Sequence, residues 1–96
     1  MRSLVVIPAF NEARSIGRVV GDIPPGLVAE VVVVNNASTD ETERNARAAG
    51  ATVLREDRRG YGYACLRGLD HAHAAAAAGH PFDVVVFLDG DYSDHP

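Results

Sequence analysis

The chain is 96 residues long and carries nine basic and thirteen acidic side chains, for a formal net charge of −4. A domain this short buries roughly 60–65% of the surface its unfolded chain exposes, and a composition that is 47% hydrophobic and 23% charged excludes a disordered polyelectrolyte. The acidic balance argues against a general nucleic-acid binder, and the single cysteine, Cys65, excludes a disulfide framework or a Cys-rich zinc site.

The first apolar run, Leu4–Ile7, is followed by Pro8 and is too short for a signal-peptide core. No segment reaches the roughly 18 apolar residues that cross a bilayer, so the expectation is a cytoplasmic protein. A helix is predicted from about Glu12 to Asp22, with Ile16, Val19 and Val20 on one face and Pro24-Pro25 as its stop. A second run, Val31–Val34, leads into Asn35-Asn36-Ala37-Ser38-Thr39-Asp40-Glu41, where Ser38 and Glu41 fit a capping box for a helix that ends at Gly50. A short third run, Thr52–Leu54, precedes Arg58-Arg59-Gly60-Tyr61-Gly62 and a helix from Tyr61 to Ala78. A fourth run, Val84–Leu88, ends in Asp89-Gly90-Asp91, and Asp94-His95-Pro96 has the form of a further helix start.

The apolar runs do not alternate with polar residues, which suits strands buried on both faces of a parallel sheet. The pattern is therefore β-α-β-α-β-α-β, a single α/β domain over residues 1–96 with strand ends near 7, 35, 56 and 89. A chain that stops at a helix start reads as the front part of a longer protein. In such a sheet all strand C-termini share one edge, where ligands bind, and the unusual polar residues of this chain fall at those four ends.

Asp89 and Asp91, one small residue apart, can share a hard divalent cation and the polar groups of a ligand, or else are turn residues capping the next helix. Glu12 and Asn36 can receive hydroxyls or a base edge; their structural alternatives are helix-start capping and an Asx-turn. Arg58 and Arg59 precede a Gly-x-Gly at a helix start, which favours phosphate, against the alternative of a solvated basic turn. Cys65 reads as a small core residue. His71 and His73, two apart on a helix, point to different faces, so no His-based metal site can be argued.

The ordered motifs Val5-Val6-Ile7-Pro8-Ala9-Phe10-Asn11-Glu12, Asn35-Asn36-Ala37-Ser38-Thr39-Asp40, Arg59-Gly60-Tyr61-Gly62 and Phe87-Leu88-Asp89-Gly90-Asp91 resemble those of family 2 inverting glycosyltransferases of the GT-A fold, in particular dolichol-phosphate mannosyltransferase-like enzymes. The resemblance implies a Rossmann-like nucleotide-binding half, truncated, with a parallel four-stranded sheet flanked by helices. It implies a nucleotide-diphosphate sugar as donor, Mg²⁺ or Mn²⁺ as cofactor, and an acceptor hydroxyl, glycan or polyprenyl phosphate. It further implies membrane association of the full-length protein.

By that resemblance Pro8, Phe10 and Glu12 contact the nucleotide, and Val34 and Asn36 lie at the base. Arg59 belongs to the same nucleotide-sugar set, Asp89 and Gly90 hold ribose and phosphate, and Asp91 with Ser93 binds the metal. The catalytic base is expected downstream of Pro96. The chain departs from the family at Asn35-Asn36-Ala37-Ser38, where Asp-Asp-Gly-Ser or Asp-Asn-Gly-Ser is common. That departure keeps a non-catalytic nucleotide-binding module, or pseudoenzyme, as the alternative. Asp89-Gly90-Asp91-Tyr92-Ser93 also loosely matches the nucleophile motif of haloacid-dehalogenase-type phosphatases, but that motif follows a first strand and this one a fourth.

Overall fold

The computed structural model describes residues 1–24 and 26–90. Its element order is β1 (Ser3–Ala9), α1 (Ile16–Gly21), β2 (Glu30–Asn35), α2 (Thr42–Ala48), β3 (Thr52–Arg55), α3 (Tyr61–Ala77) and β4 (Val84–Phe87). The four strands form one sheet in the order β3-β2-β1-β4, and every neighbouring pair is parallel. Among the described residues no helix is long and apolar enough to cross a membrane.

The order explains where the helices go. From β1 to β3 the chain steps in one direction across the sheet, and right-handed crossovers put α1 and α2 on the same face. It then returns from β3 past β1 to β4, which puts α3 on the other face. Two core clusters follow. Val5, Ile7, Ala9 and Val33 pack with Ile16, Val19, Val20 and Ala46 on one side; Leu4, Val6, Val32 and Val34 pack with Ala64 on the other. The central strands β1 and β2 are buried on both faces as the unbroken apolar runs predict. The outer strands are not: β3 and β4 are largely half-buried or exposed, because an edge strand has a neighbour on one side only.

β1 runs two residues further than its apolar run, through Pro8 to Ala9. A proline in a central strand normally forfeits a ladder bond. Here β1 pairs with β4 only from Ser3↔Val84 to Val6↔Phe87, with Leu88 N–H still reaching the Val6 carbonyl at 3.0 Å. Pro8 follows Val6 by two residues, so its missing N–H faces the β4 side, where pairing has ended. The cost is small, and the gap between β1 and β4 opens at that point.

Helix α1 starts four residues later than expected. The amides of Glu12 and Ala13 are taken by the Thr42 hydroxyl and the Asp40 carboxylate, which fixes 12–15 as a turn before the helix. The Ser38/Glu41 capping box does not form. Ser38 Oγ accepts from Asn11 N–H at 3.0 Å, and α2 begins at Thr42, whose amide and hydroxyl are both held by Asp40. Helix α3 matches its prediction to within a residue. It lies so close to β1 that a Cβ at Gly68 would fall 2.5 Å from Val6 Cγ1; this position requires glycine for close approach rather than for backbone freedom. Cys65 is half-buried on the same helix. His71 packs toward β2, its Nε2 2.8 Å from Glu30 Oε1. The expected helix cap at Asp94 lies outside the described residues.

Candidate nucleotide site at the sheet edge

The reversal of direction at β1 creates a switch point between β1 and β4, where a crevice opens at the strand C-termini. A cleft of about 200 Å³ occupies it, lined by Pro8, Ala9, Phe10, Glu12, Asn36, Tyr61, Ala64, Asp89 and Gly90. Six of the eight residues expected to meet a nucleotide sugar (Pro8, Phe10, Glu12, Asn36, Asp89 and Gly90) thus meet in one cavity. They come from the ends of three strands that are far apart in sequence.

The walls of this cleft are held by a dense set of bonds between the loops after β1 and β2. Asn11, at φ 51, accepts the Thr39 amide at 2.8 Å and donates its own amide to Ser38. Asn45 Nδ2 donates to the Ala13 carbonyl at 2.8 Å, and the Asn36 amide donates to the Ala9 carbonyl at 2.8 Å. Burial would push the Asp40 carboxyl up, but the Thr42 hydroxyl and amide bonds outweigh it and hold its pKa below the ordinary value. These polar residues therefore serve as a scaffold for the cleft.

Asn36 is buried, with 5% of its surface exposed, and its side chain ties down the loop after β3. Nδ2 donates to the carbonyls of Glu56 at 2.8 Å and Arg58 at 2.7 Å, while Oδ1 accepts the Gly60 amide at 2.9 Å. Both amide hydrogens are consumed and one Oδ1 lone pair remains. Asn35 is spent similarly: Nδ2 donates to Glu43 and Oδ1 accepts the Ser38 amide. Within the tied loop, Glu56 accepts from the Arg58 guanidinium and amide, which hold its carboxyl down to about 2. Arg58 lies over the Tyr63 ring at 4.5 Å.

Arg59 does not line the cleft itself. Its guanidinium stacks 3.7 Å above the Phe10 ring, a cation–π arrangement that keeps a fixed positive charge at the rim. Val34 is a correction. It was expected against the base, but it has no exposed surface and packs with Leu4, Val6 and Ala64 under the cleft. At that register on a strand covered by α3, the side chain points into the core. Asp91 and Ser93 lie outside the described residues.

Tyr61 and Ala64 line the cleft without having been expected there. The signal for Tyr61 was present, since an aromatic between two glycines at a helix start is well placed to face a crevice. The neighbouring Cys65 thiol, burial and the Asp89 carboxylate all push the pKa of the Tyr61 hydroxyl up, so it stays neutral at physiological pH. The ionisable cleft-lining groups are the carboxylates of Glu12 and Asp89 together with this phenol. Glu12 and Asp89 offer hard oxygen donors of the kind a divalent cation takes, but among the described residues no group of three or more His, Cys, Asp or Glu side chains gathers to hold one.

Residues 4–96 match the family model Glycosyl transferase family 2. Over 104 aligned residues the chain is 41% identical to a glucosyl-3-phosphoglycerate synthase of Mycolicibacterium paratuberculosis, covering 96% of this chain and 29% of that protein. Over 75 residues it is 43% identical to a 4,4'-diaponeurosporenoate glycosyltransferase of Staphylococcus aureus, covering 71% of this chain and 20% of that protein. Its fold superposes with a TM-score of 0.72 on the glucosyl-3-phosphoglycerate synthase of Mycobacterium tuberculosis in complex with Mn²⁺, uridine diphosphate and glucosyl-3-phosphoglycerate. That match is 35% identical and covers 94% of this chain and 33% of the other. The chain thus spans about a third or less of the length of these relatives. None of the three is a dolichol-phosphate mannosyltransferase, the finer kinship expected from the motifs.

Proposed function

Because this chain belongs to glycosyl transferase family 2, we propose that its cleft is the donor site of a glycosyltransferase that uses a nucleoside-diphosphate sugar with Mg²⁺ or Mn²⁺. The observation that carries the reading is the convergence of Pro8, Phe10, Glu12, Asn36, Asp89 and Gly90 on one cavity at the switch point. Uridine diphosphate is the proposed nucleotide. The Mycobacterium tuberculosis relative is known in complex with it and with its glucose conjugate, and the one remaining Oδ1 lone pair of Asn36 can accept a base N–H but cannot donate.

In the proposed arrangement Phe10, Pro8 and Tyr61 form the apolar and aromatic walls against the nucleoside. Glu12 and Asp89 accept hydroxyls, and Arg59 supplies positive charge at the mouth for the diphosphate. Asp91 and Ser93 are assigned to the cation, whose chemistry when bound is to offset charge on the departing diphosphate. Transfer is proposed to be inverting, with the acceptor and the catalytic base held by other parts of the protein. A hydroxyl of a small phosphorylated acid is preferred as acceptor over a polyprenyl phosphate, by similarity to relatives named for phosphoglycerate.

Calorimetric titration of UDP, GDP and CDP, with Mn²⁺ and with chelator, tests the reading. Metal-dependent binding with UDP strongest over CDP supports it, and no binding of any of the three refutes it. Binding without transfer or hydrolysis of UDP-glucose by the full-length protein would instead favour a non-catalytic nucleotide module.

A further inference from the structure

Ser15 occupies the position before the first residue of α1, where a serine normally caps the helix by accepting a first-turn amide. It makes no such bond. Its hydroxyl instead donates to the carbonyl of Gly90, 75 residues away, at 2.6 Å. The Glu12 carbonyl, at 3.5 Å, is a distant second acceptor for the one hydrogen available, so the Gly90 bond holds the proton.

The bond is part of a socket. Gly90 is buried, and the place where its Cβ would be is 3.4 Å from each of Ile16 Cδ1, Ile7 Cγ2 and Pro8 O. The turn after β4 is therefore seated between the end of β1 and the start of α1. Such support is needed there, because the β1–β4 ladder stops at Val6↔Phe87 and past Leu88 the chain has left the sheet. The same turn carries Asp89, which is exposed and lines the cleft.

We propose that Ser15 is a positioning residue for the donor site: its hydroxyl gives up helix capping to pin the Asp89–Gly90 turn against the start of α1. This rests on the donor-site reading given above. The pinned turn keeps its geometry before any ligand arrives, so the ordering cost is met in folding rather than in binding.

Three substitutions in the full chain separate this role from capping. Ser15→Ala removes the donor, and Ser15→Thr keeps it. Ser15→Asp is at least as good a cap but cannot donate, and it sets a carboxylate against the Gly90 carbonyl. Two readouts are taken: UDP affinity in Mn²⁺ by calorimetry, and backbone amide exchange at Leu88–Gly90 without ligand. Ser15→Ala and Ser15→Asp are expected to weaken UDP binding about tenfold, the effect of one hydrogen bond, and to speed exchange in the turn. Ser15→Thr should stay within about twofold, a difference too small to represent a lost hydrogen bond. Wild-type binding and exchange in Ser15→Asp would overturn the proposal in favour of capping, and unchanged exchange in Ser15→Ala would overturn it outright. If the wild-type chain binds no UDP, the donor reading fails, and the exchange rates still decide whether Ser15 pins the turn.

Discussion

Replacing Asn36 by alanine removes three side-chain hydrogen bonds at once, those to the carbonyls of Glu56 and Arg58 and from the amide of Gly60. Each is worth about 0.5–1.5 kcal/mol net when buried, so the three together span about 1.5–4.5 kcal/mol. The Glu56 bond is fully buried and the other two are partly buried, so water can replace some of what those two lose. About 2 kcal/mol is the expected cost, from a total of roughly 5–14 kcal/mol for a domain of this length. That corresponds to a melting temperature lower by about 8–16 °C. The damage should be local as well as global. Exchange of the Gly60 amide should quicken more than that of strand β1, and UDP binding should weaken because Arg59 and Tyr61 are carried by the released loop. Urea denaturation with exchange measured by NMR gives both numbers. A loss below about 0.5 kcal/mol, the level of an ordinary surface change, with unaltered Gly60 exchange would refute the reasoning. Asn36→Asp provides a control of opposite charge logic, since it keeps an acceptor for Gly60 but turns a carboxylate toward two carbonyls, and should be no better than alanine at neutral pH.

Gly68→Ala should destabilise by up to about 2 kcal/mol in urea titrations: the methyl group collides with Val6, and overpacking of about 1–3 kcal/mol is offset only in part by the helix-propensity gain of about 1 kcal/mol. Ala37→Gly should stabilise by up to about 1 kcal/mol, because Ala37 sits at φ 63, a left-handed conformation that costs a non-glycine residue about 1–2 kcal/mol, partly offset by glycine's greater unfolded entropy. The carboxyls of Glu43 and Glu56 are both held at about 2 in the folded chain, chiefly by Arg55 and Arg58 respectively. Their contribution is complete above the unfolded value of 4.5 and is lost as pH falls toward 2, since the unfolded chain takes up the protons first. Melting temperature should therefore fall steadily over that interval, and Glu43→Gln should show a shallower fall; an identical slope in the variant would refute the assignment.

The fold was readable because it is written in strong, local signals. Four apolar runs without alternation mark buried parallel strands, and the intervals between them suit helical crossovers. Boundaries were read less well where a side chain bonded to another loop instead of to its own helix. Ser38 pairs with Asn11 instead of capping α2, and the Glu12 and Ala13 amides go to Thr42 and Asp40, so α1 starts late. Such choices depend on partners some 30 residues away, and no local pattern reports them.

The sequence alone determined that polar and acidic residues cluster at the strand ends, that the order is β-α-β-α-β-α-β, and that the motifs are those of family 2 glycosyltransferases. The tertiary structure decided where each of those residues lies and which partners it finds. It placed Pro8, Phe10, Glu12, Asn36, Asp89 and Gly90 around one cleft, withdrew Val34 into the core, and added Tyr61. It also showed the Asn36 amide holding a loop and the Ser15 hydroxyl holding a turn. The reason is physical. Residue type sets which hydrogen bonds a group is able to make, whereas strand order and the approach of distant loops set which partner it finds.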